Sequence, residues 1–341
     1  MTPLFLPLSG LYGAGVSLRL ALYRRGLLAV RGAARPVVSV GNVAAGGTGK
    51  TPFVRWLAGE LLRRGRHPSI LTRGYGRGSR GTVVVSDGRG TLASVADSGD
   101  EPALLARALP SVPIVADVKR RVAASRAETL ETPVDLHLLD DGFSHVALAR
   151  DVDVVLLDAT APDSGGALLP AGRLREPLSS LARADLLVIT KTEQADPGPA
   201  LAIARRYAPG TPVYRARTEV LGVTGRDGSP VEAGDLPPGT AVAVAGIALP
   251  EAFRATLASV GIEPVELLSF RDHEPYGPAS LGRIERALEE SGANAVVTTE
   301  KDAVKLDDLL HVPVLRVAVE ARPVEPSFVS DLLSLLARRP S

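Results

Sequence analysis

The chain contains no cysteine, and only 4% of its 341 residues are aromatic. The absence of cysteine excludes disulfide bonds, thiolate nucleophiles and zinc sites with cysteine ligands, and it is compatible with a reducing compartment. The apolar segment 3–18 is shorter than the roughly 20 residues that cross a bilayer. A formal charge of +1, with no segment that combines basic and aromatic residues, gives no indication of nucleic-acid binding.

Lysine is also scarce, since only five of the 39 basic residues are lysines. Arginine therefore serves at most positions where the chain needs a surface cation. A compact ammonium group is not interchangeable with a planar guanidinium group, so the retained lysines are candidates for sites that need a point charge. They are Lys50, Lys119, Lys191, Lys301 and Lys305.

A glycine-rich turn is the most informative segment of the chain. Residues 38–52 read VSVGNVAAGGTGKTP, a β-branched strand that leads into a turn and then into an amphipathic helix. Such a turn binds phosphate through converging backbone N–H groups, a lysine charge and a threonine hydroxyl that ligates Mg²⁺. Ala44 replaces the first glycine of the usual pattern, but the flanking strand and helix still favour a nucleoside triphosphate site. The predicted nucleotide-binding residues are Gly46, Gly47, Thr48, Gly49, Lys50 and Thr51.

Alternating strand and helix patterns predict an α/β protein with a mostly parallel sheet. We expect a P-loop nucleotide-binding domain at 33–207, a linker rich in glycine and proline at 208–240, and a smaller C-terminal α/β domain at 241–341. Residues 1–32 are expected to form an apolar and basic helix that docks on a membrane surface, because its leucines share a face and arginines flank them. The alternative is a helix that packs on the protein itself.

Carboxylates stand at two places where phosphoryl transfer needs them. Asp140 and Asp141 end an apolar strand downstream of the glycine-rich turn, which is the expected position of Mg²⁺ ligands. Asp100 and Glu101 precede a helix predicted at 103–109. Asp100 is either the N-cap of that helix or a base near the attacking hydroxyl, and both roles can hold at once.

Histidine and arginine side chains supply further candidates. His273 lies between carboxylates in a loop of the C-terminal unit, where it either orients a partner or belongs to an ordinary surface loop. Arg173 and Arg175 lie in a restricted loop and are candidates for binding phosphate. The cluster 119–121 either contacts an anion or faces solvent at a helix start. Residues 190–193 loosely match a guanine-reading pattern, but a glutamate replaces its aspartate.

Taken together, these motifs resemble the tetraacyldisaccharide 4′-kinases, the lipid A 4′-kinases of Gram-negative bacteria. The similarity covers nearly the whole chain. The matching segments are GNxxxGGTGKTP at 41–52, TRGYG at 72–76, GDEP at 99–102, DDGxxH at 140–145, PxGxLRE at 170–176, FxDH at 270–273 and TEKDAVK at 299–305.

The resemblance implies Mg²⁺-dependent transfer of the γ-phosphoryl group of ATP to the 4′-hydroxyl of an acylated glucosamine disaccharide 1-phosphate. It also implies a peripheral location on the cytoplasmic face of the inner membrane, with no obligatory protein partner. By the same resemblance, Asp100 is the base, His273 is its partner and Arg173 is a further catalytic residue. The implied metal ligands are Thr51, Glu101, Asp140 and Asp141, and the implied substrate-binding residues are Asn42, Arg73, His145 and Arg121, with Lys119 and Arg120 as alternatives to Arg121.

Two other functions compete with this one. The first is a membrane-associated P-loop ATPase or GTPase that acts on a protein partner. Such proteins usually carry a lysine immediately before the glycine pair, and Ala45 occupies that position. The second is a non-catalytic membrane-binding module, against which the paired acids and the candidate base argue.

Overall fold

A single twelve-stranded sheet runs through the computed structural model, which describes residues 5–232, 236, 239–247 and 250–338. In chain order the strands are β1 (Val37–Asn42), β2 (Pro68–Thr72), β3 (Val83–Asp87), β4 (Pro113–Ala116), β5 (Leu136–Asp140), β6 (Val152–Asp158), β7 (Leu186–Thr190), β8 (Val213–Thr224), β9 (Ala241–Ala245), β10 (Glu266–Ser269), β11 (Ala295–Thr299) and β12 (Val314–Pro323).

Helices connect most of these strands. The helices are α1 (Leu6–Arg24), α2 (Lys50–Arg63), α3 (Val95–Ser98), α4 (Asp100–Ala108), α5 (Arg120–Ala127), α6 (Gly198–Tyr207), α7 (Pro250–Ser259), α8 (Pro278–Ser291), α9 (Glu300–Leu306) and α10 (Phe328–Arg338), with a 3-10 turn at Leu178–Arg183.

The strand order across the sheet is β10-β9-β11-β12-β8-β7-β6-β1-β5-β2-β4-β3. All neighbouring strands are parallel except the pairs β3–β4 and β8–β12. Strands β1, β5, β6 and β7 are buried along their whole length, as expected for a parallel sheet covered on both faces. The predicted α/β class with a mostly parallel sheet is confirmed.

The segment predicted as a linker contributes a strand to this sheet. Within 208–240, residues Val213–Thr224 form β8, which pairs with β7 on one side and with β12 on the other. Hydrogen bonding therefore continues from one half of the chain into the other through β8. The domain boundaries themselves stay a prediction.

The last helix packs against the first half of the chain. The Phe328 ring of α10 contacts the rings of Phe53 and Trp56 on α2 at centroid distances of 5.5 and 5.8 Å, and Tyr214 of β8 at 5.1 Å. Aromatic rings at these separations contribute both buried area and favourable edge-to-face geometry. Helix α2, which follows the glycine-rich turn, thus packs in one hydrophobic cluster with Tyr214 and Phe328, residues far along the chain.

Helix α1 docks through one face and exposes another. The Ser9 hydroxyl donates a hydrogen bond to the Leu168 carbonyl at 2.9 Å, and the Tyr12 hydroxyl donates to the Arg175 carbonyl at 3.1 Å. Leu11 and Leu18 are 73% and 62% exposed. The helix therefore combines packing on the protein with an open apolar face. No helix in the described part of the chain is long and apolar enough to span a bilayer.

A buried histidine lies on β5, away from the glycine-rich turn. His137 is fully buried, with Nδ1 2.7 Å from the Ser69 hydroxyl and Nε2 3.0 Å from Glu128. The same Glu128 oxygen accepts the backbone N–H groups of Ala34 and Arg35, which precede β1. Burial lowers the pKa of His137, against the opposing effect of Glu128.

This burial makes a prediction about stability. Because the folded state holds His137 neutral while the unfolded chain takes up a proton near pH 6.5, the free energy of unfolding should fall as the pH drops below about 6.5. His137→Gln should lose part of this dependence in urea unfolding measured over a pH series. The exposed His311→Gln is the matched control and should keep it. Identical slopes for all three proteins would contradict the prediction.

Candidate active site

The glycine-rich turn joins β1 to α2 and curls around the ammonium group of Lys50. Gly49 is the N-cap of α2 and has φ +81°, a left-handed conformation that glycine adopts without strain. Lys50 Nζ lies 3.4 Å from both the Asn42 Oδ1 and the Gly46 carbonyl oxygen. Asn42 also donates to the Thr48 hydroxyl at 2.8 Å, and Thr51 follows in the first turn of α2. The predicted nucleotide-binding residues therefore form one loop at a helix N-terminus, which suits an anion.

Arg173 lies directly against this turn. Its Nε donates to the Ala45 carbonyl at 3.2 Å, and Ala45 N–H donates to the Arg173 carbonyl at 2.7 Å. Gly46 has φ +113°, a conformation that favours glycine, and a Cβ there would lie 1.8 Å from the Arg173 guanidinium, which would have to move. Neighbouring Gly47 has open space around its Cβ position. The structure thus places the predicted arginine over the candidate phosphate site.

Two carboxylates end β5, the strand beside β1. Asp140 pairs in register with Val40 and is buried, and among the described residues its Oδ1 has no hydrogen-bond partner. Burial, then the charges of Glu101 and Asp141, raise the pKa of Asp140 to about 7. A positive charge close to Asp140 would favour the ionised carboxylate and so lower this pKa.

Asp141 differs from its neighbour because cations surround it. It has φ +55°, accepts two hydrogen bonds from Arg175 at 2.6 and 2.7 Å, and lies 3.7 Å from Lys50 Nζ. Burial raises the pKa of Asp141, but Lys50 and Arg175 outweigh it and hold that pKa well below its usual range. Arg175 also donates to Asn42, so the acid, the arginine and the turn form one network.

These acids fit a divalent cation. Asp140 offers an unpartnered buried oxygen, and its pKa is raised by burial and then by repulsion from Glu101 and Asp141. Mg²⁺ favours carboxylate oxygens and commonly keeps water and substrate phosphate in its remaining positions. In the ranges that the structure describes, no three acidic or histidine side chains are already gathered as a complete ligand set. Mg²⁺ therefore suits the site when phosphate supplies further oxygens.

Asp100 and His273 meet across the two halves of the chain. His273, with φ +60°, places Nδ1 3.3 Å from Asp100 Oδ2, and its ring lies 5.2 Å from that of Tyr75. Burial raises the pKa of Asp100, but the His273 hydrogen bond and the Lys305 charge outweigh it, and the pKa lies below its usual value. Asp100 is therefore a carboxylate, as a base must be.

The helix that carries Asp100 begins earlier than predicted. Gly99 is the N-cap of α4 and Asp100 is its first helical residue, so the N-cap interpretation of Asp100 is wrong. The N-terminus of a helix attracts negative charge, which suits both Asp100 and Glu101 in the first turn. Because Glu101 acts on the Asp140 pKa, this turn lies close to the end of β5.

The basic cluster at 119–121 places its middle residue at the site. Arg120 is 3% exposed, donates to the Asp117 carbonyl at 2.9 Å and lies within electrostatic range of Asp140, whereas Arg121 is exposed. Burial lowers the pKa of Arg120 to about 10, against the opposing effect of the acids. The role of Arg121 in substrate binding stays a prediction, and Arg120 is the member of the cluster that the geometry favours.

Two further predicted residues lie near Arg120. Burial, followed by the charge of Arg120, lowers the pKa of His145 to about 4, so its imidazole is neutral near pH 7. Arg73 is exposed, and its positive charge also lowers the pKa of Arg120 and that of His145. Arg73 and Arg120 thus form a positive margin beside the acids, with the neutral His145 next to it, and this suits an anionic acceptor.

Lys305, which lies at the candidate base, was given no role from the sequence, where it is one of the five lysines and the last residue of the TEKDAVK segment. Lys305 Nζ lies 3.0 Å from Asp100 Oδ2. The scarcity of lysine and this segment pointed to Lys305, but neither indicated Asp100 as its partner. In contrast, Glu193 of the guanine-like pattern accepts the Thr218 backbone N–H at 3.1 Å and so has a structural partner.

Comparison with known proteins gives matches over nearly the whole chain. The family profile described as tetraacyldisaccharide-1-P 4′-kinase matches residues 1–337. A tetraacyldisaccharide 4′-kinase from Anaeromyxobacter sp. (strain Fw109-5) is 44% identical over 309 residues, which are 90% of this chain and 82% of that protein. The one from Geobacter metallireducens is 42% identical over 306 residues, covering 88% and 87%. A crystal structure of LpxK from Aquifex aeolicus in complex with ATP has a TM-score of 0.78 and 33% identity, covering 98% of each chain.

The contrast between the two acids of β5 can be tested by stability. Because the folded state raises the pKa of Asp140, its ionisation costs stability as the pH rises from about 4 through 7. Asp140→Asn should therefore raise the free energy of unfolding by about 1 kcal/mol or more above pH 7, in a chelator and without nucleotide. Thermal or urea unfolding measures this.

The matched control is the neighbouring acid. Asp141→Asn removes a carboxylate that Lys50 and Arg175 hold ionised, so it should lower the free energy of unfolding under the same conditions. A loss of stability in both variants would contradict the assignment of Asp140 as the uncompensated acid.

Proposed function

The chain belongs to the tetraacyldisaccharide-1-P 4′-kinase family, and on that premise we propose that it transfers the γ-phosphoryl group of ATP to the 4′-hydroxyl of an acylated glucosamine disaccharide 1-phosphate. This reaction belongs to lipid A biosynthesis. Family membership favours this phosphotransferase over the alternative of a membrane-associated ATPase or GTPase. The observation that carries the proposal is the Asp100–His273 contact beside the acids and the phosphate-binding turn.

The turn would hold the phosphates of ATP. Backbone N–H groups at the start of α2 and the Lys50 ammonium would face the β- and γ-phosphates. In the structure that ammonium contacts Asn42, the Gly46 carbonyl and Asp141, contacts that phosphate oxygens would replace or share. Arg173, packed on Ala45, would stabilise negative charge on the transferred group.

Asp100 would accept the proton of the acceptor hydroxyl. As that proton moves to the carboxylate, the hydroxyl oxygen forms a bond to the γ-phosphorus and the bond to the bridging oxygen of ADP breaks. His273 would align the carboxylate through Nδ1, at 3.3 Å from Oδ2. General-base catalysis of this kind contributes about 10²- to 10⁴-fold in rate.

The acids of β5 and α4 would hold Mg²⁺. Asp140, Asp141 and Glu101, with Thr51 at the start of α2, provide hard oxygen atoms for it. Mg²⁺, when bound, neutralises charge on the phosphate oxygens. The polar part of the acceptor would contact Asn42, Arg73, His145 and either Arg120 or Arg121. The acceptor's own phosphate suits the positive margin.

We place the protein on the cytoplasmic face of the inner membrane as a peripheral protein with no obligatory protein partner. The exposed leucines of α1 provide an apolar face, and Arg24 in its last turn suits anionic headgroups. Because α1 contacts Leu168 and Arg175, it lies next to the loop that carries Arg173. A lipid acceptor could thus reach the site without leaving the membrane.

Phosphoryl transfer is tested with γ-labelled ATP and tetraacyl disaccharide 1-phosphate in detergent, separated by thin-layer chromatography. Wild type should move label into the lipid. Asp100→Asn should reduce kcat by about 10²- to 10⁴-fold with ATP binding retained, because only the proton acceptor is lost. The exposed acid Asp97, three residues away, supplies the control Asp97→Asn, which should match wild type. Label found only in free phosphate would reject the kinase in favour of the ATPase.

Membrane docking is tested by introducing negative charge on the exposed apolar face of α1. The double variant Leu11→Asp/Leu18→Asp should co-sediment less with anionic lipid vesicles, because burying two carboxylates at the interface is unfavourable. Binding of ATP should not change. Val265→Asp changes an exposed apolar residue of the other half and serves as the control. Equal sedimentation of all three proteins would count against α1 as the docking helix.

A further inference from the structure

Lys305 makes four polar or cation–π contacts around the candidate base, one of them an ion pair with Asp302 at 3.8 Å. Its Nζ donates to Asp100 Oδ2 at 3.0 Å and to the Glu274 carbonyl at 2.8 Å, and it lies 5.3 Å from the centre of the Tyr276 ring. The side chain is 11% exposed. An ammonium group has three N–H donors in a compact geometry, which suits several partners in different directions.

The helix that carries Lys305 is itself fixed at its start. Thr299 is the N-cap of α9 and accepts the Asp302 N–H at 3.2 Å, while the Asp302 carboxylate accepts the Thr299 hydroxyl at 2.8 Å. Asp302 is fully buried and also accepts the Gly246 N–H at 2.9 Å, at the end of β9. This cap ties the first turn of α9 to the sheet, so the position of Lys305 is set by buried structure.

Lys305 and His273 hold the same oxygen of Asp100. Both contacts are to Oδ2, and among the described residues Oδ1 accepts no hydrogen bond and forms no ion pair. Two donors on one carboxylate oxygen fix the plane of the group and leave the other oxygen for a further partner. In the proposed reaction that partner is the acceptor hydroxyl.

We propose that Lys305 is a positioning residue that holds the Asp100 carboxylate, together with His273, in the orientation that accepts the acceptor proton. The inference rests on the proposed kinase function. Lys305 acts through Asp100 and does not touch the reacting atoms. It joins α4, which carries the base, to the loop after β10, which carries His273, so the two halves of the chain share one carboxylate.

The chain offers a matched control on the same pair of helices. Arg107 of α4 forms an ion pair with Asp307, which follows α9, at 3.0 Å. Like the Lys305–Asp100 pair, it joins these two elements with one cation and one carboxylate. Arg107→Met therefore removes a comparable connection without touching the base.

A double-mutant cycle separates positioning from general support of the fold. In single-turnover transfer with labelled ATP and the lipid acceptor, Lys305→Met should lower the rate at least about tenfold, a loss typical of residues that orient a reacting group. The Km values for ATP and lipid should stay near those of wild type. In an Asp100→Asn background, Lys305→Met should cause little further loss, because the carboxylate that it positions is gone. Lys305→Arg should recover part of the rate, because it restores a cation.

The possible results give distinct answers. Losses that multiply in the double variant, or equal losses in Lys305→Met and Arg107→Met, would assign Lys305 to the fold and overturn the inference. A Lys305→Met rate equal to wild type would also overturn it while leaving the kinase function intact. Absence of lipid labelling by wild type would reject the kinase function itself. If Asp100→Asn is too slow to measure, the unchanged Km values and the partial recovery by Lys305→Arg, against an unaffected Arg107→Met, decide between the two roles.

Discussion

The site depends on the repulsion between carboxylates at the end of β5 and on the cations that offset only part of it. Lys50 and Arg175 compensate Asp141, but Asp140 keeps an unpartnered oxygen in a buried position. A divalent cation bound at that oxygen, as proposed for Mg²⁺, would offset the cost of the buried charge and so stabilise the fold. The turn, the two acids and Arg120 therefore form one electrostatic unit, in which the binding of the cation and the nucleotide is coupled.

The second constraint is that the proposed base and its partners come from distant parts of the sequence. Asp100 begins α4, His273 follows β10 and Lys305 lies in α9, and they meet because α4 packs against α9. The contact between the proposed base and its partners therefore depends on how the halves dock, whereas the glycine-rich turn is formed by β1 and α2 within the first half. Ion pairs such as Arg55–Glu300, at 2.6 Å, connect the phosphate-binding helix to the same docked half.

Local patterns in the sequence were sufficient for the fold class, whereas the family resemblance named most of the candidate site residues. Strands such as β5, β6, β7, β9 and β11 are mostly apolar runs between turn residues, the pattern that buried parallel strands produce and that predicts this fold class. Periodicity could not choose Arg120 over Arg121, since consecutive helical residues point about 100° apart and the orientation of α5 is set by packing. Nor could it pair Lys305 with Asp100, 205 positions away. The strand β8 lay hidden in a segment whose glycines and prolines suggested a linker.

The contact of α10 with α2 has a consequence for synthesis of the chain. Phe328 completes the aromatic cluster beneath the phosphate-binding helix, together with Phe53 and Trp56. During translation the turn and its helix emerge nearly three hundred residues before the side chain that closes their core. The nascent nucleotide-binding half thus exposes an aromatic surface until Phe328 has left the ribosome, and over that interval the unfinished chain is open to chaperones and to aggregation.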